Sequence, residues 1–314
     1  MERVSRILAV VAPTADTQPA LDRAAVIARA TGAPLELLIV DYNEYLDEVH
    51  ARPFPSLEEA RQEMVTAQER HLEALAAPLR ASGLDVTTTL LRHHPVYRGI
   101  VRHAAATGAD LVFKDTERQS ALARALFSNA DWDLIRSCAS PLWLVNPGPW
   151  PEHPVFVAAV DPLNEHDKPA ALDDEILSVA KVLARAAHAE VHAFHAFDPR
   201  LAVSAGMANA YVPVLPFDEI EAEMHKQHGE RFAELVSFHE IPGERAHLVA
   251  GAAHDELPKL AGELDASLVV MGAVARKRLE RLFIGSTAER TLEHLPCDLL
   301  IVKPPWFDSA SEHA

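Results

Sequence analysis

The residues best suited to binding a charged ligand lie in a loop near the carboxyl end of the chain. An apolar β-type run, 268–271, stops at Gly272, a basic segment follows, and Gly285-Ser286-Thr287 then opens an amphipathic run. A helix start after such a loop attracts phosphate through its free N–H groups and its dipole, and hydroxyl groups add hydrogen bonds. Glycine lets a ligand approach the backbone closely. We therefore predict a phosphate site here, although the spacing is neither a Walker A loop nor a Rossmann fingerprint.

Composition restricts the class of protein. The chain has 314 residues, 49% of them hydrophobic and 24% charged, which is enough for two domains of ordinary size. The formal net charge of −17 argues against nucleic acid, and no apolar stretch approaches the roughly 18 residues of a membrane helix. We expect a cytoplasmic protein, because the N-terminus shows no signal-peptide pattern and Cys138 and Cys297 have no metal or redox spacing.

A negative chain can still bind a small anion if one pocket is positive. A basic cluster in the glycine loop offers such a pocket, and a solvated loop face is the alternative interpretation of the same residues. The cluster consists of Arg276, Lys277, Arg278 and Arg281.

Apolar strand-like runs alternate with amphipathic helical patterns along the whole chain, which predicts parallel sheets covered on both faces. Three prolines and a glycine in residues 147–151 predict a linker. The pattern then restarts: residues 142–147 match 299–304, and residues 10–13 match 159–162. We predict an α/β protein of two tandem, doubly wound, mostly parallel five-stranded domains of Rossmann-like topology. The predicted domains are residues 1–148 and 153–306.

The two halves differ where a ligand would bind. The second half has Asp161 after its first strand where the first half has Ala12, and it has Gly272 where the first half has Asp115. A carboxylate at Asp115 would repel phosphates. We therefore expect a nucleotide site in the second half and a degenerate one in the first. The second half also has Gly285-Ser286 where the first half has Ser128-Asn129.

The loop resembles the G-x2-G-x9-G-[S/T] motif of the universal stress protein family. It reads here as Gly272, Ala275, Gly285 and Ser286, with alanine in place of the second glycine. Over residues 4–305 the chain resembles a tandem member of that family, of the E-type branch, and this resemblance implies a fold like that of the adenine nucleotide alpha hydrolases. The resemblance rests on segments 131–138, 141–145, 272–287 and 295–304, and on Asp161.

The resemblance implies a set of nucleotide contacts. Adenine contacts would fall on Asp161, Ala196 and Met271. If position 275 requires positive φ, alanine costs about 1 kcal/mol or more there and its Cβ crowds the phosphates. The family contains members that bind ATP and members that do not, so the resemblance leaves open whether this chain binds ATP or ADP. Phosphate and ribose contacts would fall on Gly272, Ala275, Gly285, Ser286 and Thr287.

Each of these residues also has a structural interpretation. Asp161 suits a turn before Pro162, Gly272 suits a tight turn, and Ser286-Thr287 suit a helix N-cap. The 17 histidines show no metal-binding spacing, and we expect no metal site.

No catalytic constellation is visible in the sequence, so we predict a non-enzymatic stress regulator that binds ATP or ADP in its second domain. The alternative is a nucleotide-free scaffold that binds a protein or an apolar ligand through the apolar segment 201–216, which a local lid would also explain. A third interpretation, slow ATP hydrolysis, has only Asp161 and Asp255 as candidate bases.

Domains of this family commonly associate through the edges of their last strands. The resemblance therefore implies an intramolecular pseudo-dimer in which residues 141–145 meet residues 299–302, so that neither edge needs an outside partner. The sequence leaves a further homodimer open.

Overall fold

The structure is a computed structural model that describes residues 3–15, 17–43, 55–116, 127–163, 171–200, 217–273, 294–304 and 307. The described residues fall into two compact units, one formed by residues between 3 and 150 together with residue 307, and the other by residues between 151 and 304. The domain boundaries given by the sequence stay a prediction, as does the edge contact between the halves. Within the described ranges, no helix is long and apolar enough to cross a bilayer.

The first unit is a five-stranded parallel sheet with the order β3-β2-β1-β4-β5. Helices α3 and α4 contact each other, whereas α1 contacts β1, β2, β4 and β5, and α2 contacts β2 and β3. This is the arrangement that right-handed crossovers in two directions produce, with a pair of helices on each face. The elements are β1 Ile7–Val10, α1 Pro19–Thr31, β2 Leu35–Asp41, α2 Pro55–Ala81, β3 Val86–Arg92, α3 Val96–Thr107, β4 Leu111–Asp115, α4 Asn129–Ser137 and β5 Leu142–Val145.

The second unit repeats this topology with the order β8-β7-β6-β9-β10, and its strand pairs are also parallel. The prediction of two doubly wound, five-stranded α/β units is confirmed. The elements are β6 Val155–Ala159, α5 Ala171–Ala187, β7 Glu190–Phe197, α6 Phe217–Phe238, a 3-10 turn Gly243–Arg245, β8 Ala246–Ala250, α7 Ala253–Glu263, β9 Leu268–Gly272 and β10 Asp298–Val302.

Hydrogen bonds give the residue correspondence between the units. The N–H of Val11 donates to the C=O of Leu38 at 2.9 Å, and the N–H of Val160 donates to the C=O of Phe194 at 2.9 Å. Ala12 therefore corresponds to Asp161, as the sequence repeat predicts. The central strand β1 is a continuous apolar run because both of its faces are covered, and β5 and β10, the last strands of the two orders, are also buried along their whole length.

The amphipathic pattern of residues 57–77 predicts a helix that ends or kinks at Pro78, and helix α2 differs from this prediction. The helix continues through Pro78 to Ala81. Proline removes only one donor, and the N–H of Ser82 still donates to the C=O of Pro78 at 3.1 Å. Burial of Leu72 and Ala76 stabilises this half of the helix against the sheet, so packing outweighs the local preference.

The linker is attached to the first unit through α1. Both terminal nitrogens of Arg23 donate to the C=O of Gly148 at 3.1 Å, and the guanidinium lies 5.1 Å from the centre of the Trp150 ring. Arg23 is almost fully buried, so these contacts satisfy a charge that would otherwise be costly to desolvate.

Both cysteines lie in the cores of their units. Burial, with a contribution from the neighbouring Asp298 carboxylate, raises the pKa of Cys297 to about 12. A thiol with such a pKa is protonated at neutral pH and is a poor nucleophile, so Cys297 is a core residue and not a reactive thiol.

Candidate functional site

The candidate site lies at the carboxyl edge of the second sheet, where the strand order reverses between β6 and β9. The chain runs from β6 to β7 and β8 on one side of β6, and it then crosses to β9 and β10 on the other side of β6. Ala159 is level with Met271 on β9 and with Phe194 on β7. Asp161 and Ala196 therefore both lie two residues beyond that level, and Gly272 lies one residue beyond it. Open α/β sheets bind ligands at such a switch point.

The described site residues are partly accessible, unlike the strand interiors that hold them. Leu268, Val269 and Val270 are fully buried, whereas Met271 and Gly272 at the end of the same strand are half-buried. Asp161 and Ala196 are also half-buried. The structure thus brings four of the eight predicted contact residues to one accessible edge.

Asp173 organises the turn that carries Asp161, and sequence analysis missed it. Its Oδ1 accepts a hydrogen bond from the N–H of Asp161 at 3.0 Å, and its side chain is almost fully buried in the first turn of α5. A carboxylate is favoured there by the helix dipole. The sequence gives no signal for this contact because the partners belong to different elements.

Gly272 lacks space for a side chain because α5 packs directly against it. A Cβ at this position would lie 2.7 Å from Cδ2 of Leu172 and 3.1 Å from Cδ1 of Ile176. Both side chains are fully buried. The glycine is therefore required by helix–strand packing, so its presence alone does not argue for a phosphate at this point.

The remaining predicted contact residues lie outside the described residues. They are Ala275, Gly285, Ser286 and Thr287, and the basic cluster and the apolar segment 201–216 lie outside as well.

In the first unit, the chain's own side chains occupy the corresponding edge. Oδ1 of Asp115, which corresponds to Gly272, accepts a hydrogen bond from the N–H of Ala20 in the first turn of α1 at 2.8 Å. The ammonium of Lys114 donates to Oδ1 of Asp131 and to the C=O of Asp115, both at 2.9 Å. Asp131 also forms a capping box with Ser128 at the start of α4. The Asp131 carboxylate thus already lies at the N-terminus of α4, where an anion would bind.

A buried histidine pair lies behind Asp161, between β7 and α6. Nδ1 of His195 lies 3.1 Å from the C=O of Val160, and Nε2 of His195 lies 2.7 Å from Nδ1 of His228. A carbonyl only accepts, so Nδ1 of His195 carries hydrogen, and in the neutral pair His228 donates to Nε2. The ring of Phe197 stacks on His228. The pair therefore connects α6 to the residue that precedes Asp161.

A second histidine pair lies on the other face of β7, because His192 and His195 are three residues apart in a strand and therefore point to opposite faces. Nδ1 of His192 lies 2.9 Å from Nε2 of His247 on β8. Burial lowers the pKa of His192, and the His247 ring and Arg245 lower it further against the opposing effect of Glu190. Burial also lowers the pKa of His247. Both rings therefore favour the neutral form more than a free histidine does.

No group of three or more His, Cys, Asp or Glu side chains with the geometry to hold a metal ion occurs within the described ranges.

Comparison with known proteins places these observations in a family. The model of the Universal stress protein family matches residues 3–146 and 157–303. The chain is 28% identical over 314 residues to Universal stress protein E of Escherichia coli K12, which covers 99% of this chain and 98% of the relative. It is 26% identical over 313 residues to Universal stress protein E of Photorhabdus laumondii, which covers 98% of each.

Solved structures agree on the fold. A protein of unknown function from Pseudomonas aeruginosa PAO1 superposes with a TM-score of 0.69 at 26% identity, which covers 99% of this chain and 96% of the other. A universal stress protein from Archaeoglobus fulgidus superposes with a TM-score of 0.66 over 95% of this chain and 98% of the other, and at 14% identity it shows the fold alone. With both halves matched by the same family model, this chain belongs to the universal stress protein family.

Proposed function

We propose that this protein is a non-enzymatic stress regulator that binds ATP or ADP at the carboxyl edge of its second sheet. The observation that carries the proposal is the asymmetry between the units. In the first unit the Asp115 carboxylate and the Lys114–Asp131 ion pair fill the edge at the switch point. In the second unit the corresponding strand ends with Met271 and Gly272, which carry no charge.

The accessible residues suit an adenosine moiety. Asp161 offers a carboxylate that accepts hydrogen bonds, and Ala196 and Met271 offer apolar surface for a base. The Asp161 turn is held by Asp173 and lies next to Val160, whose C=O is bound by His195, so its geometry is set before a ligand arrives. Preorganisation of this kind increases affinity because less freedom is lost on binding.

Calorimetric titration with ATP tests the proposal, with mass spectrometry of small molecules released by denaturing the purified protein. We expect one nucleotide per chain. Asp161→Asn should weaken binding about 10-fold, since the charged acceptor of the hydrogen bond becomes a neutral one. The matched control is Asp265→Asn, because Asp265 is exposed at the opposite edge and asparagine tolerates its φ of 48°.

An empty protein that gives no heat with ATP or ADP would contradict the proposal. That outcome would leave the scaffold as the function to pursue, and deletion of residues 201–216 should then abolish capture of the partner without changing circular dichroism. Equal losses in Asp161→Asn and Asp265→Asn would show a non-specific effect of charge and would also count against the site.

A further inference from the structure

The peptide that precedes Asp161 is held at both of its polar groups by buried side chains. The C=O of Val160 and the N–H of Asp161 belong to one planar peptide unit, which lies just beyond the end of β6. Nδ1 of His195 on β7 donates to that C=O at 3.1 Å, and Oδ1 of Asp173 on α5 accepts from that N–H at 3.0 Å. His195 and Asp173 are each 2% exposed. Two separate elements therefore fix the orientation of this peptide, and with it the direction in which the Asp161 side chain leaves the backbone.

The His195 ring is itself oriented by α6. Nε2 of His195 lies 2.7 Å from Nδ1 of His228 in the middle of this helix, and His228 is also 2% exposed. The centre of the Phe197 ring lies 5.0 Å from that of His228, and the centre of the Phe232 ring lies 5.9 Å from that of His195. The orientation of His195, and therefore its bond to the peptide, depends on how α6 packs against β7.

The first unit holds the corresponding peptide differently. The N–H of Ala12 donates to Oε1 of Gln18 at 3.1 Å. By the hydrogen bonds that relate the two units, Ile39 corresponds to His195, and Ile39 is fully buried. An apolar side chain therefore suffices for packing at this position, whereas a buried imidazole needs hydrogen bonds to offset its desolvation. The histidine occurs in the unit whose turn carries Asp161 in place of Ala12.

We propose that His195 positions the Asp161 carboxylate for the nucleotide and, through His228, couples nucleotide binding to the packing of α6. This inference rests on the proposed function. His195 acts through the peptide that it binds, so it is a positioning residue and not a ligand contact. Because coupling between two sites is reciprocal, a bound nucleotide in turn stabilises α6 against local opening.

Two substitutions of similar polarity separate positioning from a purely structural role. The amide nitrogen of asparagine lies near the place of the imidazole Nδ1, so His195→Asn keeps a donor for the C=O of Val160 and loses the contact with His228. The amide of glutamine lies near the place of Nε2, so His195→Gln keeps the contact with His228 and loses the bond to Val160.

Calorimetric titration of the full chain with ATP compares these variants. His195→Asn should bind within about threefold of the wild type, whereas His195→Gln should bind about 5- to 10-fold more weakly because the peptide is no longer fixed. In an Asp161→Ala background, His195→Gln should cost less than about twofold, since the side chain that it positions is gone. The matched control is His192→Gln, because His192 pairs with His247 on the opposite face of β7, and it should bind ATP as the wild type does.

Hydrogen exchange of the full chain with and without ATP tests the coupling to α6. ATP should slow exchange of the amides around His228, although α6 carries none of the predicted contact residues. The effect should disappear in His195→Asn, which binds ATP without the contact to His228. The amides around Gly262 in α7 are the internal control and should exchange equally with and without ATP.

The outcomes separate this inference from the proposed function. Equal ATP affinities of His195→Asn and His195→Gln would overturn the positioning role while leaving the nucleotide site in place, and so would an undiminished loss in the Asp161→Ala background. Exchange around His228 that ATP leaves unchanged would overturn the coupling to α6. If the variants at position 195 do not fold, the exchange of the wild type still decides. A wild type that binds neither ATP nor ADP would contradict the proposed function and this inference together.

Discussion

Replacement of Gly272 by alanine should destabilise the second unit through packing alone. The added Cβ would lie 2.7 Å from Cδ2 and 3.0 Å from Cγ of Leu172, distances that real Cβ atoms rarely or never show. Leu172 is fully buried and therefore has little room to move. Overpacking of this kind costs ~1–3 kcal/mol, which lowers the Tm of a unit of this size by ~2–12 °C.

A double-mutant cycle with Leu172→Ala measures the contact. Leu172→Ala should cost ~2–5 kcal/mol because it leaves a cavity. In the double variant the cavity accepts the new methyl group, so the combined loss should fall short of the sum by ~1–3 kcal/mol. Urea unfolding of the wild type, the two single variants and the double variant gives the coupling free energy. The control is Gly262→Ala in α7, where no atom lies within 4 Å of the added Cβ and stability should rise by ~0.5–1 kcal/mol.

Additive losses in the cycle would refute the packing argument. They would mean that Leu172 does not restrict position 272, and that Gly272 is retained for another reason such as phosphate approach. A coupled result has a practical consequence, because loss of nucleotide binding in Gly272→Asp would then report misfolding of the edge. Asp161→Asn is a better probe of the ligand for this reason.

Two further predictions concern other parts of the structure. Acidification from pH 6.5 toward pH 5 should lower the free energy of unfolding of the second unit, and replacing His192 and His247 by glutamine should flatten that loss. Arg23→Ala should speed hydrogen exchange of the linker amides around Gly148 and cost ~1–3 kcal/mol, whereas Arg29→Ala, at an exposed position on the same helix, should change neither.

The sign of the pH effect follows from the lowered pKa values of the two histidines. Well above the ordinary histidine pKa of about 6.5 both rings are neutral in the folded and the unfolded chain, so their contribution to stability is fully present. Below it the unfolded chain takes up protons that the folded chain resists, so stability falls as the pH approaches the folded pKa values. If the stability of the second unit instead rises on acidification from pH 6.5 toward pH 5, the result would contradict the lowered pKa values of His192 and His247.

The elements of the fold could be predicted because their signals are local. Continuous apolar runs such as 7–11 and 268–271 and the repeat of the two halves indicate parallel strands at nearly the observed bounds. The end of α2 could not be predicted from the sequence, because burial of Leu72 and Ala76 outweighs the local effect of Pro78. The candidate site was predicted only as a set of strand ends, and its supporting contacts join residues distant in sequence.

The sequence alone determined that the chain is a tandem repeat, that strand ends carry Asp161 and Gly272, and that the halves differ in charge there. It could do so because periodicity and correspondence within a repeat need no knowledge of distances. Only the tertiary structure decided that Leu172 excludes a side chain at position 272 and that His195 meets His228. Such contacts depend on how α5 and α6 pack against the strands, and local sequence patterns do not specify that packing.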